Sequence, residues 1–105
     1  AVVHRRLASM RPYELMMIHR PEMAEADVRK EIGTVEALLG DQGGDHKLSD
    51  FWGKRRFAYE IDHIHEGYYT VVTFDSTPEV VAFLDRALSL SDTVVRHKIL
   101  KRAAA

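Results

Sequence analysis

Two stretches of helical periodicity, each set between strand-like runs, restrict this chain to a small set of folds. In residues 23–39, Val28, Ile32, Val35 and Leu39 recur every three or four positions and form one apolar stripe. Glu22, Glu25 and Asp27 sit in or near its first turn, where they favour the helix dipole, and Gly40, Gly43 and Gly44 end it. The second stripe is Val81, Leu84, Ala87 and Leu88. Thr77-Pro78-Glu79 opens it with a capping hydroxyl, a proline at the first helical position and an acid. Strand-like runs occupy residues 13–19, 48–61, 67–75 and 94–100. Leu15 and Met17 alternate with Met16 and Ile18, so the first run is apolar on both faces and suits a central strand. Gly53 reads as a bulge in the second run.

The resulting order is βαββαβ. Right-handed crossovers turn that order into an α+β, ferredoxin-like split βαβ fold. Its four-stranded antiparallel sheet has strand order 4-1-3-2, with both helices on one face. The other face is left open and is the place to look for function. The expected core between sheet and helices is Leu15, Met17, Val28, Ile32, Val35, Val72, Phe74, Leu84 and Leu88. With 105 residues, one domain accounts for the chain. It is read as residues 10–102, after an N-terminal extension or tag remnant at 1–9 and before a C-terminal remnant at 103–105. Met10 is taken as a native-like start.

With no cysteine in the chain, disulfides, thiolate metal sites and cysteine nucleophiles are excluded. No apolar run approaches the roughly 18 residues of a membrane helix, and no membrane partner is expected. The net charge of -1 is a poor advertisement for nucleic-acid binding, but the charges are segregated. Acids dominate residues 22–50, whereas Arg96, Lys98, Lys101 and Arg102 close the chain without an acid among them. Lys54-Arg55-Arg56 is the densest basic run within the domain and, on a strand, alternates across the sheet. Arginine suits phosphate because its planar fork donates two parallel hydrogen bonds. Such charges also protect edge strands from aggregation, in which case Trp52 and Phe57 beside them would be core.

Several functions that this topology hosts elsewhere lack their residues here. No nucleophile, base and orienting group cluster in the sequence, so an enzyme is not expected. Acylphosphatases carry a glycine-rich anion loop after the first strand, where this chain has His19-Arg20-Pro21-Glu22. His63 and His65 could chelate from a strand, but they read as hydrated loop residues, and neither metal nor cofactor is expected. An RNA-recognition motif stacks bases on aromatics of its third strand. The corresponding segment here is Glu66-Gly67-Tyr68-Tyr69-Thr70-Val71-Val72-Thr73, in which threonines stand at aromatic positions. No base-stacking platform is expected, leaving phosphate contact shared with a protein partner.

Phe51-Trp52-Gly53-Lys54-Arg55-Arg56-Phe57-Ala58-Tyr59-Glu60-Ile61 resembles the second strand of the bacterial-type small-subunit ribosomal protein six family. Met10-Arg11-Pro12-Tyr13-Glu14 is similar to that family's opening, and Gly67-Tyr68-Tyr69 to its third-strand entry. Leu90-Ser91-Asp92-Thr93-Val94-Val95-Arg96 is similar to its turn into the last strand, and the matches run in order over residues 10–102. Asp45-His46-Lys47 departs from the more apolar start that many members have. The resemblance implies a non-enzymatic constituent of the cytoplasmic ribosome that binds the central domain of small-subunit rRNA jointly with ribosomal protein eighteen. Its implied RNA contacts are Arg11 and Lys54, Arg55 and Arg56, followed by Arg96, Lys98, Lys101 and Arg102. Met16, Ile18, Tyr69 and Val71, from the two central strands, form the expected partner surface. No small-molecule substrate is expected. The alternative is a ferredoxin-like protein-interaction module without a ribosomal role.

Overall fold

The strand β1 (Arg11–His19) lies at the centre of the sheet because its alternate residues find apolar cover on one side and apolar neighbours on the other. The computed structural model describes residues 10–61 and 63–103. The readings of residues 1–9 and of 104 and 105 as extensions fall outside them. The helix α1 (Glu25–Asp41) follows β1, then β2 (Asp45–Ile61), β3 (Ile64–Ser76), the helix α2 (Pro78–Ser89) and β4 (Val94–Lys101). Among the described residues these strands form one sheet, ordered β2-β3-β1-β4, with each neighbouring pair antiparallel. This is the expected order, read from the other edge. No helix among the described residues is long and apolar enough to cross a membrane.

Several boundaries shift from their sequence positions. The first helix starts and ends two residues later than its apolar stripe suggests. At its end the amides of Gly43 and Gly44 bond back to the carbonyls of Gly40 and Leu39, at 3.0 and 2.9 Å. Residues 64–66, expected within a connection, are strand, so β2 and β3 form one long hairpin in which Ile61 pairs with Ile64. In α2 the Thr77 hydroxyl accepts the Val80 amide at 3.4 Å, and Pro78 occupies the first turn. That start sets the phase of the helix: Val80, Leu84 and Leu88 are buried. Val81 only packs at the margin of the core and Ala87 is half-buried, correcting the expected stripe by one residue at its first position.

All nine expected core residues are buried in one cluster, joined by Tyr13, Leu39, Tyr68 and Val80. Cross-strand register explains how they meet. Leu15 lies opposite Val72 of β3 and Ile99 of β4, which brings them to the helix-covered face. Tyr13 and Phe74 stack with ring centroids 5.8 Å apart. Gly67 permits the close approach of β3 to β1, since a Cβ there would lie 2.8 Å from the His19 carbonyl oxygen and 2.6 Å from Ile18 Cγ2.

His19 closes β1 with 1% of its surface exposed and no hydrogen-bond partner for either ring nitrogen among the described residues. Burial lowers its pKa below the ordinary 6.5, and the charge of Glu31 opposes that shift. The unfolded chain therefore takes up this proton at a higher pH than the folded one. The contribution of the neutral ring is complete above pH 6.5 and is lost as pH falls from there toward the lowered folded value. Urea midpoints measured from neutral to mildly acidic pH should fall through that window, and His19→Leu should remove this part of the fall. An equal fall in the variant would assign the acid sensitivity to other groups.

Candidate nucleic-acid and protein interface

Strand parity sorts the candidate residues between the two faces of the sheet. Met16 lies opposite Val71 and Lys98, and Ile18 opposite Tyr69 and Arg96. These six side chains share the face away from the helices. Met16, Tyr69 and Val71 are half-buried there, whereas Ile18 is only 5% exposed and presents little free surface. Met16, Ile18, Tyr69, Arg96 and Lys98 line a shallow groove along this face. The expected partner surface is therefore brought together, with two of the expected RNA contacts along its β4 side.

The Lys54-Arg55-Arg56 run divides as alternation requires. Arg55 pairs with Gly67, whose missing side chain would point at Ile18 and Phe57, so Arg55 belongs to the open face. Lys54 pairs with Tyr68 on the covered side, its ammonium 5.1 Å from that ring's centroid. Arg56, opposite Glu66, has the parity of Lys54. The run thus does not present three charges to one ligand.

The opposite edge joins the remaining bases. Tyr13 pairs with Lys101, and the Arg102 amide donates to the Pro12 carbonyl at 2.9 Å, bringing the start of β1 beside the end of β4. Arg11 is exposed, and one of its guanidinium nitrogens donates to the Met10 carbonyl at 2.9 Å. Arg11, Lys101 and Arg102 thus occupy one corner of the sheet, well separated from Arg55.

An aromatic cluster that sequence reasoning missed stands on the open face. Trp52 and Tyr69 are stacked almost parallel, at 2° with centroids 6.1 Å apart, and Phe57 meets Tyr69 edge-on at 5.9 Å. The Trp52 indole N–H donates to an Asp50 carboxylate oxygen at 3.0 Å, which fixes the ring's orientation. Trp52 is 41% exposed, so it is not core. The cause is the bulge at Gly53: pairing with β3 shifts between Phe51 and Gly53, and Gly53 has φ +83°. Phe51 accordingly turns inward onto Tyr68, at 6.1 Å, while Trp52 turns outward. Gly53 is the signal that the sequence offers for this, because a bulge there changes the parity of its neighbours. By contrast Tyr68 and Thr70, which stand where an RNA-recognition motif exposes aromatics, are buried toward the helices.

The family model described as ribosomal protein S6 matches residues 12–101. The chain belongs to the ribosomal protein S6 family. It is 44% identical over 92 residues to the small ribosomal subunit protein bS6 of an Arthrobacter species, covering 88% of this chain and 91% of that one. The bS6 protein of Carboxydothermus hydrogenoformans is 41% identical over 92 residues, covering 88% and 96%. Among solved structures, the crystal structure of the 30S ribosomal protein S6 from Thermotoga maritima superposes with a TM-score of 0.84 at 26% identity, covering 89% of this chain and 88% of that chain. The C-terminal domain of the Mycobacterium tuberculosis MgtC protein shares the fold at 18% identity, with a TM-score of 0.60. Within the S6 family frame, the expected second-strand, third-strand and final-turn segments all fall inside the matched region.

Proposed function

We propose that the open sheet face holds the central domain of small-subunit rRNA together with ribosomal protein eighteen. As a member of the S6 family the chain is a structural component of the small ribosomal subunit, in the cytoplasm. One observation carries the finer reading. A strip of half-buried apolar side chains, Met16, Tyr69 and Val71, is bordered by Arg55 on one side and by Arg96 and Lys98 on the other. The apolar strip suits a folded protein partner, since adjacent exposed apolar side chains lose unfavourable hydration when covered. The flanking bases suit phosphates that run past the edge of that partner. The corner bases Arg11 and Lys101 have the parity of Tyr13, which faces the helices, so they lie outside this margin. Acidic Glu25 and Asp27 lie on α1, on the other side of the sheet, where they do not repel phosphate from this face.

Replacing Arg55, Arg96 and Lys98 together by alanine tests the assignment. Affinity for central-domain RNA, measured with the partner present across a salt series, should fall. The salt slope should flatten by about 0.7–0.9 for each phosphate that is no longer neutralised. The fall should be similar on RNAs of different sequence, because binding to phosphate carries no base information. An unchanged slope would assign the RNA binding to the partner's own charges.

A further inference from the structure

Away from the open face, β2 begins irregularly, in the segment where this chain departs from the apolar start of many family members. Its pairing with β3 shifts between His46 and Leu48. In a regular strand His46 and Ser49, three positions apart, would point to opposite faces. The shift brings both toward α1. His46 Nε2 and Ser49 Oγ are 2.8 Å apart, and the Ser49 hydroxyl donates to Glu36 Oε2. The same Glu36 oxygen lies 3.5 Å from His46 Nε2. Three donor atoms from two elements thus converge on one point, where a bulge has re-aimed a side chain.

Nucleophilic catalysis does not fit this connectivity. In a serine–histidine–acid relay the acid holds the ring nitrogen remote from the serine. Here Glu36 and Ser49 both meet Nε2. Convergence is what a metal ion needs.

We infer that His46 and Glu36, with Ser49, form a site for a borderline divalent transition ion such as Zn2+. His46 Nε2 and Glu36 Oε2 are the two protein ligands, the Ser49 hydroxyl orients the carboxylate, and water fills the remaining positions. Zinc bonds to nitrogen and oxygen of about 2.0–2.2 Å place neighbouring tetrahedral donors roughly 3.3–3.6 Å apart. The 3.5 Å between Nε2 and Oε2 meets that requirement, with the ion replacing the Ser49 hydroxyl at Nε2 while that hydroxyl goes on donating to Glu36. Both side chains are about one-third exposed, so an ion reaches them in the folded state. Glu36 and Ser49 also line a groove with Ile32, Gly33 and Phe51, and a Cβ on Gly33 would meet no atom within 4 Å, which leaves room for coordinated water. The cation at this groove, Arg29, is held by Glu25 at 3.3 Å and lies 4.4 Å from the Phe51 ring centroid. Imidazole selects zinc, copper or nickel over magnesium and calcium, which prefer oxygen throughout. Among the described residues no three histidine or acidic side chains gather as a metal site. This two-ligand site therefore binds far more weakly than a four-ligand structural zinc centre. An ion bound there would tie α1 to the edge strand β2.

Titration of the purified chain with zinc chloride tests this, read by calorimetry and by the histidine ring NMR signals up to about 1 mM, the range of weak binding. One saturable equivalent should bind, with the His46 ring signals moving first. His46→Gln and Glu36→Gln should each weaken binding at least tenfold, and Ser49→Ala severalfold. Replacing His63 and His65 together by alanine should leave it unchanged. Zinc should also raise the unfolding midpoint of the unmodified chain but not that of His46→Gln, each compared with its own metal-free midpoint. Full-strength binding by His46→Gln, loss of binding in the His63/His65 variant, or stationary His46 signals at the highest concentration would each overturn the site.

Discussion

Val71→Asp is expected to leave the chain folded while abolishing its joint binding with ribosomal protein eighteen. Val71 lies on β3 opposite Met16, on the open face, and is half-buried in the chain alone. A carboxylate there meets water in the isolated protein, and its repulsion with Asp50 directly across on β2 costs about 1 kcal/mol or less. Covered by a partner it would be a buried, unpaired charge, with a penalty on the order of 2–5 kcal/mol, about thirtyfold or more in affinity. Circular dichroism should show an unchanged fold, and co-purification of the two proteins on central-domain RNA should fail. Normal assembly of the folded variant would move the interface away from this face.

The largest effect on stability is expected from Leu84→Ala. Leu84 is 1% exposed and sits on the buried face of α2, within the cluster that joins both helices to the sheet. Truncation removes buried methyl groups and leaves a cavity that its neighbours close only in part, costing about 2–5 kcal/mol. Denaturant unfolding measures this directly. A loss below about 0.5 kcal/mol would be that of a surface position and would contradict the packing described.

The core was legible because its signals are local and periodic. Val28, Ile32, Val35 and Leu39 report a helix face whatever they pack against, and Leu15 and Met17 report strand parity. The order of elements then restricts the sheet to few topologies. Parity errors entered wherever pairing with a neighbour, and not the strand's own sequence, decides which way a side chain points. Trp52 is one case, since the bulge at Gly53 moves it outward. The juxtaposition of His46 and Ser49 is another: no glycine marks the shift between His46 and Leu48, which arises in pairing with β3. The one-residue phase of α2 follows from where the Thr77 cap starts the helix, so counting from that cap places Val80 on the buried side. On the open face, strand alternation alone brought Met16, Ile18, Tyr69 and Val71 side by side. It could not distribute Lys54, Arg55 and Arg56 between faces until the register with β3 was known.

The position of β1 has a bearing on how the chain is made. This first strand takes its two neighbours from β3 and β4, and its pairing with β4 reaches Lys101. During synthesis the hairpin of β2 and β3 can pair as soon as both segments have left the ribosome, because its two strands are adjacent in sequence. Leu15 must wait longer, first for Val72 and then for Ile99, and Met17 for Thr70 and then His97. Closing so long a loop costs entropy before the sheet repays it, and topologies dominated by such long-range pairings fold more slowly. Until β4 emerges, the nascent chain exposes an apolar strand with one open edge, the kind of surface that associates with other chains. The interval between translation of the hairpin and of β4 is therefore when this protein is most exposed to aggregation.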